Sequence, residues 1–502
     1  MQELSMLADG FIALFNHPTA LLLSALGVFL GIMVGALPGL TATMGVAILL
    51  PFTFGMDPVA GLLMISGVFF GGVYGGSIIA ILLRIPGTPA AAATAIDGYE
   101  LTKRGEGGSA LGIAIISSTI GGTISVLVLV FLAPQLAKVA LKFSAAENFA
   151  LAIFGLSIIS SIAGKSMIKG IIAGFIGLLI ATVGLDPMTG FPRFTGGMPE
   201  LMNVPFIPVM IGLFAASEAF KGMAETDLVK KSATVIGSVI PTRATLKRCM
   251  ATILRSSGIG VFIGTIPGVG AEIGAFVAYN EAKRFSKTPE NFGKGEITAV
   301  AACEAGANGC TGGAMLPMMT LGIPGDAVTA IMLGAMTLQG LQPGPMLFKE
   351  HGDMVFTIFA GMLFCYAVML IMGLGSLKLI VKMLQIPKPI LTPLIMALSV
   401  IGTYAINNSI FDIGIMLAAG VVGYVMARFE FPPSPVVLAL ILGPMAESNF
   451  RRAMSISNGS MDFLYTHPIT AILLSLAAFT LLYPIIRSAI RHCKTAARNS
   501  DG

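Results

Sequence analysis

The sequence predicts an all-α polytopic membrane protein, with about 10–12 spans in two repeats read as inverted, each carrying Pro-Gly-broken helices or re-entrant hairpins. Three observations carry this expectation. Of 502 residues, 55% are hydrophobic and only 11% charged, and the mean hydropathy is +0.89; a soluble domain carries about 25% charged residues. Apolar windows of about 20 residues without a charge recur along the chain, while the alternating segments of roughly ten residues that mark a β-barrel do not. Finally, the stretch from Gly31 to Ile96 is apolar enough for a bilayer, yet Pro38-Gly39 and Pro86-Gly87 interrupt it. Proline removes a backbone donor, and glycine weakens the helix around it. The freed backbone groups find no partner in hydrocarbon, so such breaks belong where protein or a watery cavity surrounds them.

The interrupted stretch occurs twice. Val34–Val46 (VGALPGLTATMGV) matches Ile263–Ala275 (IGTIPGVGAEIGA), with Gly35, Pro38, Gly39, Ala42 and Gly45 facing Gly264, Pro267, Gly268, Ala271 and Gly274 at one offset. Gly75-Gly76 followed by Ile85-Pro86-Gly87 is answered by Gly312-Gly313 followed by Ile323-Pro324-Gly325, with one residue of slippage. Gly/Pro-interrupted segments in corresponding positions point to a binding site between repeats. The domain reading is a first transmembrane repeat over 1–225, a basic linker over 226–254, a second repeat over 255–490 and a polar tail over 491–502.

Taken in order, the N-terminus carries Glu3 and Asp9 without a basic n-region or cleavage site. It reads as a short amphipathic helix rather than a removable signal peptide. Ala20–Leu37 is a span ending at the first break, Leu40–Phe52 a short helix and Val59–Leu83 a Gly-rich span. Thr88–Lys103 follows the second break and ends in a polar stretch. Ala110–Leu132, Phe149–Ala163 and Gly170–Val183 read as ordinary spans, Pro187–Pro208 as a Pro-rich connector and Phe206–Phe220 as a further apolar segment. After the polar stretch Lys221–Arg255, Gly258–Ile266 leads into the third break, then Ala271–Phe285 forms a helix. Ile297–Leu321 is a second Gly-rich span, and Ala327–Leu341 follows the fourth break. Spans at Phe356–Leu374, Leu391–Ile406, Ile410–Met426, Val436–Met445 and Ala471–Ile486 complete the count. The basic linker and the basic tail read as cytoplasmic by the positive-inside tendency, although Arg451 and Arg452 fit that orientation badly.

Several function classes fall away on composition. The net charge of +5 is spread over short loops, which does not imply nucleic acid. Five scattered cysteines (Cys249, Cys303, Cys310, Cys365, Cys493) form no CxxC, and the four histidines (His17, His351, His467, His492) lie near segment ends. A disulfide framework, a transition-metal site or a His-based catalytic centre is therefore not expected, and no enzyme activity or cofactor is. No GxxxxGK[ST] occurs, so ATP is not the fuel within this chain.

The polar residues at the four breaks are the candidates. Helix N-termini after Pro38-Gly39 and Pro267-Gly268 present free amides to an anion, and Gly39, Leu40, Gly268 and Gly270 supply that backbone. Thr41 and Thr43 can join as donors, or only cap. Glu272, at the position of Thr43, is costly at membrane depth and so a candidate for carrying a proton or ligating Na⁺; the alternative is a favourable, partly wet place in the first helical turn. Thr88 beside Gly87 matches Asp326 beside Pro324 and Gly325; both are also good N-caps, with Thr329 in the turn that follows. Asp326 with bare carbonyls suits Na⁺, the one metal expected. Arg84 could hold a carboxylate through its planar fork, or snorkel to an interface. Asn308, Thr311, Tyr74 and Ser77 flank the Gly-Gly steps as small polar groups.

These same residues, GALPGLTATMGVAILLPFTFGMDP with YGGSIIAILLRIPGTPAAAATAIDG, then GTIPGVGAEIGAFVAYNEAKRFSK with GIPGDAVTAIMLG, resemble the large membrane subunit of the tripartite tricarboxylate transporters (TctA type) over essentially the whole chain. The resemblance implies a secondary transporter of the bacterial inner membrane, working with a small membrane subunit of four spans and a periplasmic solute-binding protein. It implies uptake of citrate or a related carboxylate driven by Na⁺ or H⁺, with substrate and ion regions at Gly39 to Thr43, Pro86 to Thr88, Gly268 to Glu272 and Pro324 to Asp326. The alternatives are an ion or anion channel, or a permease for a different organic anion.

Overall fold

The computed structural model describes residues 2–37, 39–157, 166–186, 188–202, 204–224, 238–375 and 388–481. Part of the expected linker, the tail and Pro38 lie outside these residues. Among the described residues, seven helices are long and apolar enough to cross a membrane. The chain is a membrane protein, all-α but for a two-residue pairing.

The helices of the first half are α1 (Gln2–Phe15), α2 (Pro18–Ala36), α3 (Ala42–Leu49), α4 (Pro58–Leu83), α5 (Ala91–Lys103), α6 (Gly107–Ala140), α7 (Ala145–Ser157) and α8 (Met167–Ala181). An apolar segment, α9 (Phe206–Ala224), includes a π-helical turn at Gly212–Ala216. Then come α10 (Arg243–Gly264), α11 (Gly270–Phe285), α12 (Ile297–Leu321), α13 (Ala327–Leu338), α14 (Gly352–Gly375), α15 (Lys388–Asn407), α16 (Ile410–Arg428), α17 (Ser434–Ile456) and α18 (Pro468–Leu481). Start signals are local. Asp57 accepts the amides of Val59 and Ala60 at 3.1 and 3.2 Å ahead of Pro58 at the first position of α4, a cap worth about 1 kcal/mol. Thr242 caps α10 in the same way.

Two compact units emerge, and they are not the two sequence halves: residues 1–141 with 207–425 form one, and 142–206 with 426–502 the other. The larger unit contains all four breaks. Its inner helices are α4 and α12, buried from Val59 to Leu82 and from Ala299 to Thr320. Helix α2 packs along α4, and α10 along α12; the halves then interlock, with α6 lying against α12 and α14 against α2 and α4. Lipid offers no hydrophobic drive for helix association, so close packing of small residues has to supply it. A Cβ at Gly35 would collide with the carbonyl oxygen of Gly72, and one at Gly264 with that of Cys310.

The same packing corrects one register. Gly75 lies against the carbonyl of Ile32, and Gly313, not Gly312, lies against that of Val261. Counted this way, Gly76 corresponds to Ala314 and the path from either helix to its Pro-Gly runs without slippage. Other boundaries move as well. Helix α10 begins at Arg243, inside the stretch read as linker. Helices α6 and α17 pass through Pro134 and Pro444, beyond or close to where the sequence predicts that spans end. The Pro-rich connector holds a small antiparallel pairing of β1 (Gly184–Leu185) with β2 (Pro192–Arg193).

In the smaller unit, α17 packs on α7 and α8, and Ser157 of α7 meets Thr480 of α18 at 2.7 Å. An ionic cluster joins the connector to α17: Asp186 accepts from Arg451 at 2.7 Å, and Glu447 accepts from Arg193 and Arg451 at 2.6 and 2.8 Å.

Candidate functional site

Each half places two breaks against each other. In the first, α2 ends at Ala36, Leu37 turns extended and Gly39 takes φ +89° before Thr41 opens α3. The second break begins where Arg84 ends α4 in the left-handed region at φ 59°. The Gly87 amide then donates back to the Gly76 carbonyl at 3.2 Å. A Cβ on Gly87 would strike the carbonyl of Gly35, so the two breaks touch. In the second half, Gly322 ends α12 at φ +71°, at the position of Arg84. The Gly268 amide donates to the Gly325 carbonyl at 2.6 Å, which again joins the breaks.

The short helices after the breaks meet across the halves. Helix α13 packs on α3, and at their far ends Gln339 Nε2 donates to the Thr53 carbonyl at 2.7 Å. Their N-termini therefore point to one side. Helix α11 packs on α5 in the corresponding way, with Tyr279 donating to Asp97 at 2.9 Å.

The residues singled out from sequence divide by environment. Thr41 accepts the Met44 amide at 3.3 Å and is a cap; Leu40 is buried and Thr43 half-buried. Asp326 is a cap too: its carboxylate accepts the Thr329 amide at 2.8 Å and the Thr329 hydroxyl at 2.7 Å, and its own amide donates back to Thr329 Oγ1 at 2.8 Å. Gly270 lies beside it: a Cβ on Gly270 would stand 3.8 Å from the Asp326 Cβ. Thr88 is buried, and its hydroxyl has no partner among the described residues. Glu272 sits exposed in the first turn of α11. Arg84 is exposed at the end of α4, where the second break begins, and its guanidinium lies 5.9 Å over the Tyr99 ring of α5. Thr311 donates to the Asn308 carbonyl at 2.7 Å and meets Tyr366 Oη at 2.6 Å, which ties α12 to α14.

Two acidic residues went unnoticed in the sequence. Glu218 on α9 lies 3.2 Å from where a Cβ on Gly39 would stand, so it borders the first break. Glu304 is more telling. About a third of the way along α12 and 1% exposed, it accepts from Ser77 of α4 at 2.5 Å, Thr94 of α5 at 2.6 Å and Ser118 of α6 at 2.9 Å. A signal for it existed: it is the one charge in a helix of alanine, glycine and other neutral residues. Ionisable residues in such runs are functional by default.

Residues 21–438 match the family described as "Tripartite tricarboxylate transporter TctA family". The chain is 38% identical over 492 residues, 97% of its length and 98% of the relative's, to an uncharacterised 52.8 kDa protein in the TAR-I ttuC' 3' region of Agrobacterium vitis. An uncharacterised protein in the TAR-II ttuC' 3' region of the same organism is 38% identical over 232 residues, 46% of this chain and 96% of that protein. No solved structure matches the chain.

Proposed function

Since the chain belongs to the tripartite tricarboxylate transporter TctA family, and that family is a transporter component rather than an enzyme family, we propose that it carries citrate or a related carboxylate across the bacterial inner membrane. The driving force in this reading is a Na⁺ or H⁺ gradient. A periplasmic solute-binding protein delivers the substrate, a small four-span membrane subunit completes the complex, and the C-terminus is cytoplasmic. The two halves act as inverted repeats that move relative to each other to alternate access.

The observation that supports this best is the convergence of the breaks, with the N-termini of α3 and α13 on one side. The two ends differ chemically. Helix α3 is capped by a neutral threonine, and Glu218 beside Gly39 is itself paired with Lys221 at 3.8 Å, so the partial positive charge of α3 remains available to a substrate carboxylate; Gly39, Leu40, Thr41 and Thr43 serve there, with Gly87 and Thr88 of the neighbouring break. Helix α13 already carries a carboxylate at its start, which repels an anion and suits a cation. Pro324, Gly325, Asp326, Thr329 and Glu272 are the residues for that role.

Labelled citrate uptake into proteoliposomes holding the chain and its small membrane partner tests this reading. Accumulation that requires both the binding protein and an imposed Na⁺ or H⁺ gradient is the expected result. Flux that runs only downhill and ignores the binding protein would overturn it in favour of a channel.

A further inference from the structure

Glu304 is a carboxylate taken fully out of water, and no lysine or arginine acts on it among the described residues. Burying an uncompensated charge costs several kcal/mol, so a carboxylate in such a place needs either a permanent partner or a visiting one. Three hydroxyl groups donate to it, each from a different helix. A hydroxyl differs from an amide in that it is also an acceptor, with a hydrogen that rotates to suit. Ser77, Thr94 and Ser118 can therefore donate to a bare carboxylate, or turn their lone pairs to a cation beside it, without any backbone moving. Hard cations take oxygen ligands of this kind.

Further oxygens stand by. Asn308, one turn beyond Glu304 on α12, leaves its Oδ1 without a partner among the described residues, as does Tyr74 with its hydroxyl; both are fully buried. Tyr74 lies one turn before Ser77 on α4, close enough to interact with the charge of Glu304. Each orphaned buried polar atom costs about 1–3 kcal/mol, a cost that a bound cation would relieve. The titratable groups near the cluster are Tyr74 on α4, Cys303 beside Glu304, and Asp97 one turn along α5 from Thr94; none is basic. Asp97 itself is committed to the amides of Gly293, Gly295 and Glu296.

We propose that Glu304 binds a single monovalent cation, Na⁺ or a proton, with Ser77, Thr94 and Ser118 as its shell and Asn308 and Tyr74 as additional oxygen ligands. This site is separate from the breaks, and it rests on the transporter reading only for the purpose of the cation. Thr94 follows the second break and Ser77 precedes it, so occupancy at Glu304 bears directly on the hairpin between them.

The test is direct binding to the purified full-length protein, which needs no transport. Radioactive Na⁺ binding is measured at fixed pH, and in parallel infrared difference spectra follow the C=O stretch of a protonated carboxyl on acidification without Na⁺. Wild type, Glu304→Gln, Ser118→Ala and Asp326→Asn are compared. For Na⁺, the expectation is a saturable binding component in wild type that is lost in Glu304→Gln, weakened about tenfold in Ser118→Ala, the scale on which changes around a metal's ligands act, and retained in Asp326→Asn, which loses only the separate cation component of the breaks. For a proton, the expectation is a carboxyl band present in wild type and Asp326→Asn, absent from Glu304→Gln, and shifted in Ser118→Ala. Ser118→Ala carries the test by itself should Glu304→Gln fail to fold. Neither signal in wild type, or no component of either signal that Glu304→Gln or Ser118→Ala alters, overturns the proposal. Failure of citrate uptake alone would count against the transport reading and leave these binding signals intact.

Discussion

Asp97 and Glu304 are both 1% exposed carboxylates in the same unit, and they are held in opposite ways. Asp97 on α5 accepts backbone amides of Gly293, Gly295 and Glu296 at 2.8–2.9 Å and the Tyr279 hydroxyl at 2.9 Å. Those amides are fixed by the chain and can only donate, so the carboxylate has one stable state. It is a clamp: it pins the turn before α12, and Glu296 in that turn accepts from Arg248 of α10 at 2.6 Å. Glu304 has only side-chain hydroxyls, which can reverse their role. The contrast separates a charge buried for structure from one buried to exchange a partner, and the donor type rather than the depth of burial tells them apart.

The largest effect follows from the clamp. Asp97→Ala removes several charge-assisted hydrogen bonds, each worth about 1.5–3 kcal/mol, and strands the buried Glu296 amide. A loss of about 3 kcal/mol or more, seen as a large drop in folded yield and melting temperature in detergent, is expected. Glu304→Gln keeps the size of the side chain, accepts from two hydroxyls and donates to the third, so its stability should stay within about 1 kcal/mol of wild type. Equal destabilisation by the two substitutions would erase the distinction.

How far the sequence could show this depends on the range over which each feature acts. The breaks were legible because Pro-Gly acts on its own backbone: α2 to α5 and α11 to α13 start and stop close to where the sequence directs, and α10 stops there, although it starts well before, at Arg243. The ends of α6 and α17, which pass through Pro134 and Pro444 to Ala140 and Ile456, were less legible for the complementary reason. A proline inside a long, packed helix is tolerated when neighbours satisfy the freed groups, and neighbours are not visible locally. The shell of Glu304 is assembled from Ser77, Thr94 and Ser118, all far away in sequence, so the charge could be noticed but its partners could not. The interlocking of the halves in one unit was hidden likewise, because α6 seats on α12 through shape rather than through a motif.

A smaller effect compares the second and fourth breaks. Arg84 and Gly322 occupy the same left-handed helix end, at φ 59° and +71°, a conformation that costs a side-chain-bearing residue about 1–2 kcal/mol and glycine little. The cation–π contact to Tyr99 returns only about 0.5 kcal/mol at an exposed site. Arg84→Gly should therefore raise stability by about 0.5–1 kcal/mol, and Gly322→Ala should lower it by about 1 kcal/mol. Citrate uptake by Arg84→Gly should match wild type, since the exposed guanidinium is turned to the Tyr99 ring. A raised KM with unchanged melting would instead make Arg84 a substrate ligand.

The finest comparison is with a third carboxylate, Asp186 in the smaller unit, which adds a charged partner to fixed amides. It accepts the amides of Thr189 and Met188 at 2.9 and 3.0 Å, as Asp97 accepts amides, but it also receives the Arg451 guanidinium at 2.7 Å. The Thr189 amide first, then the Met188 amide and Arg451, hold its carboxyl well below the usual carboxylate range. A depressed value means the folded state prefers the ionised form more than the unfolded chain does. The stabilisation is complete above the ordinary carboxylate value of about 3.9 and drains away as pH falls toward the lower folded value. Asp186→Asn cannot titrate there. Its melting temperature should lie below that of wild type at neutral pH, and the gap should narrow on acidification below about pH 4. A gap that stays constant across that range would show that Asp186 acts through its turn geometry alone, as a neutral asparagine also could, and not through its charge.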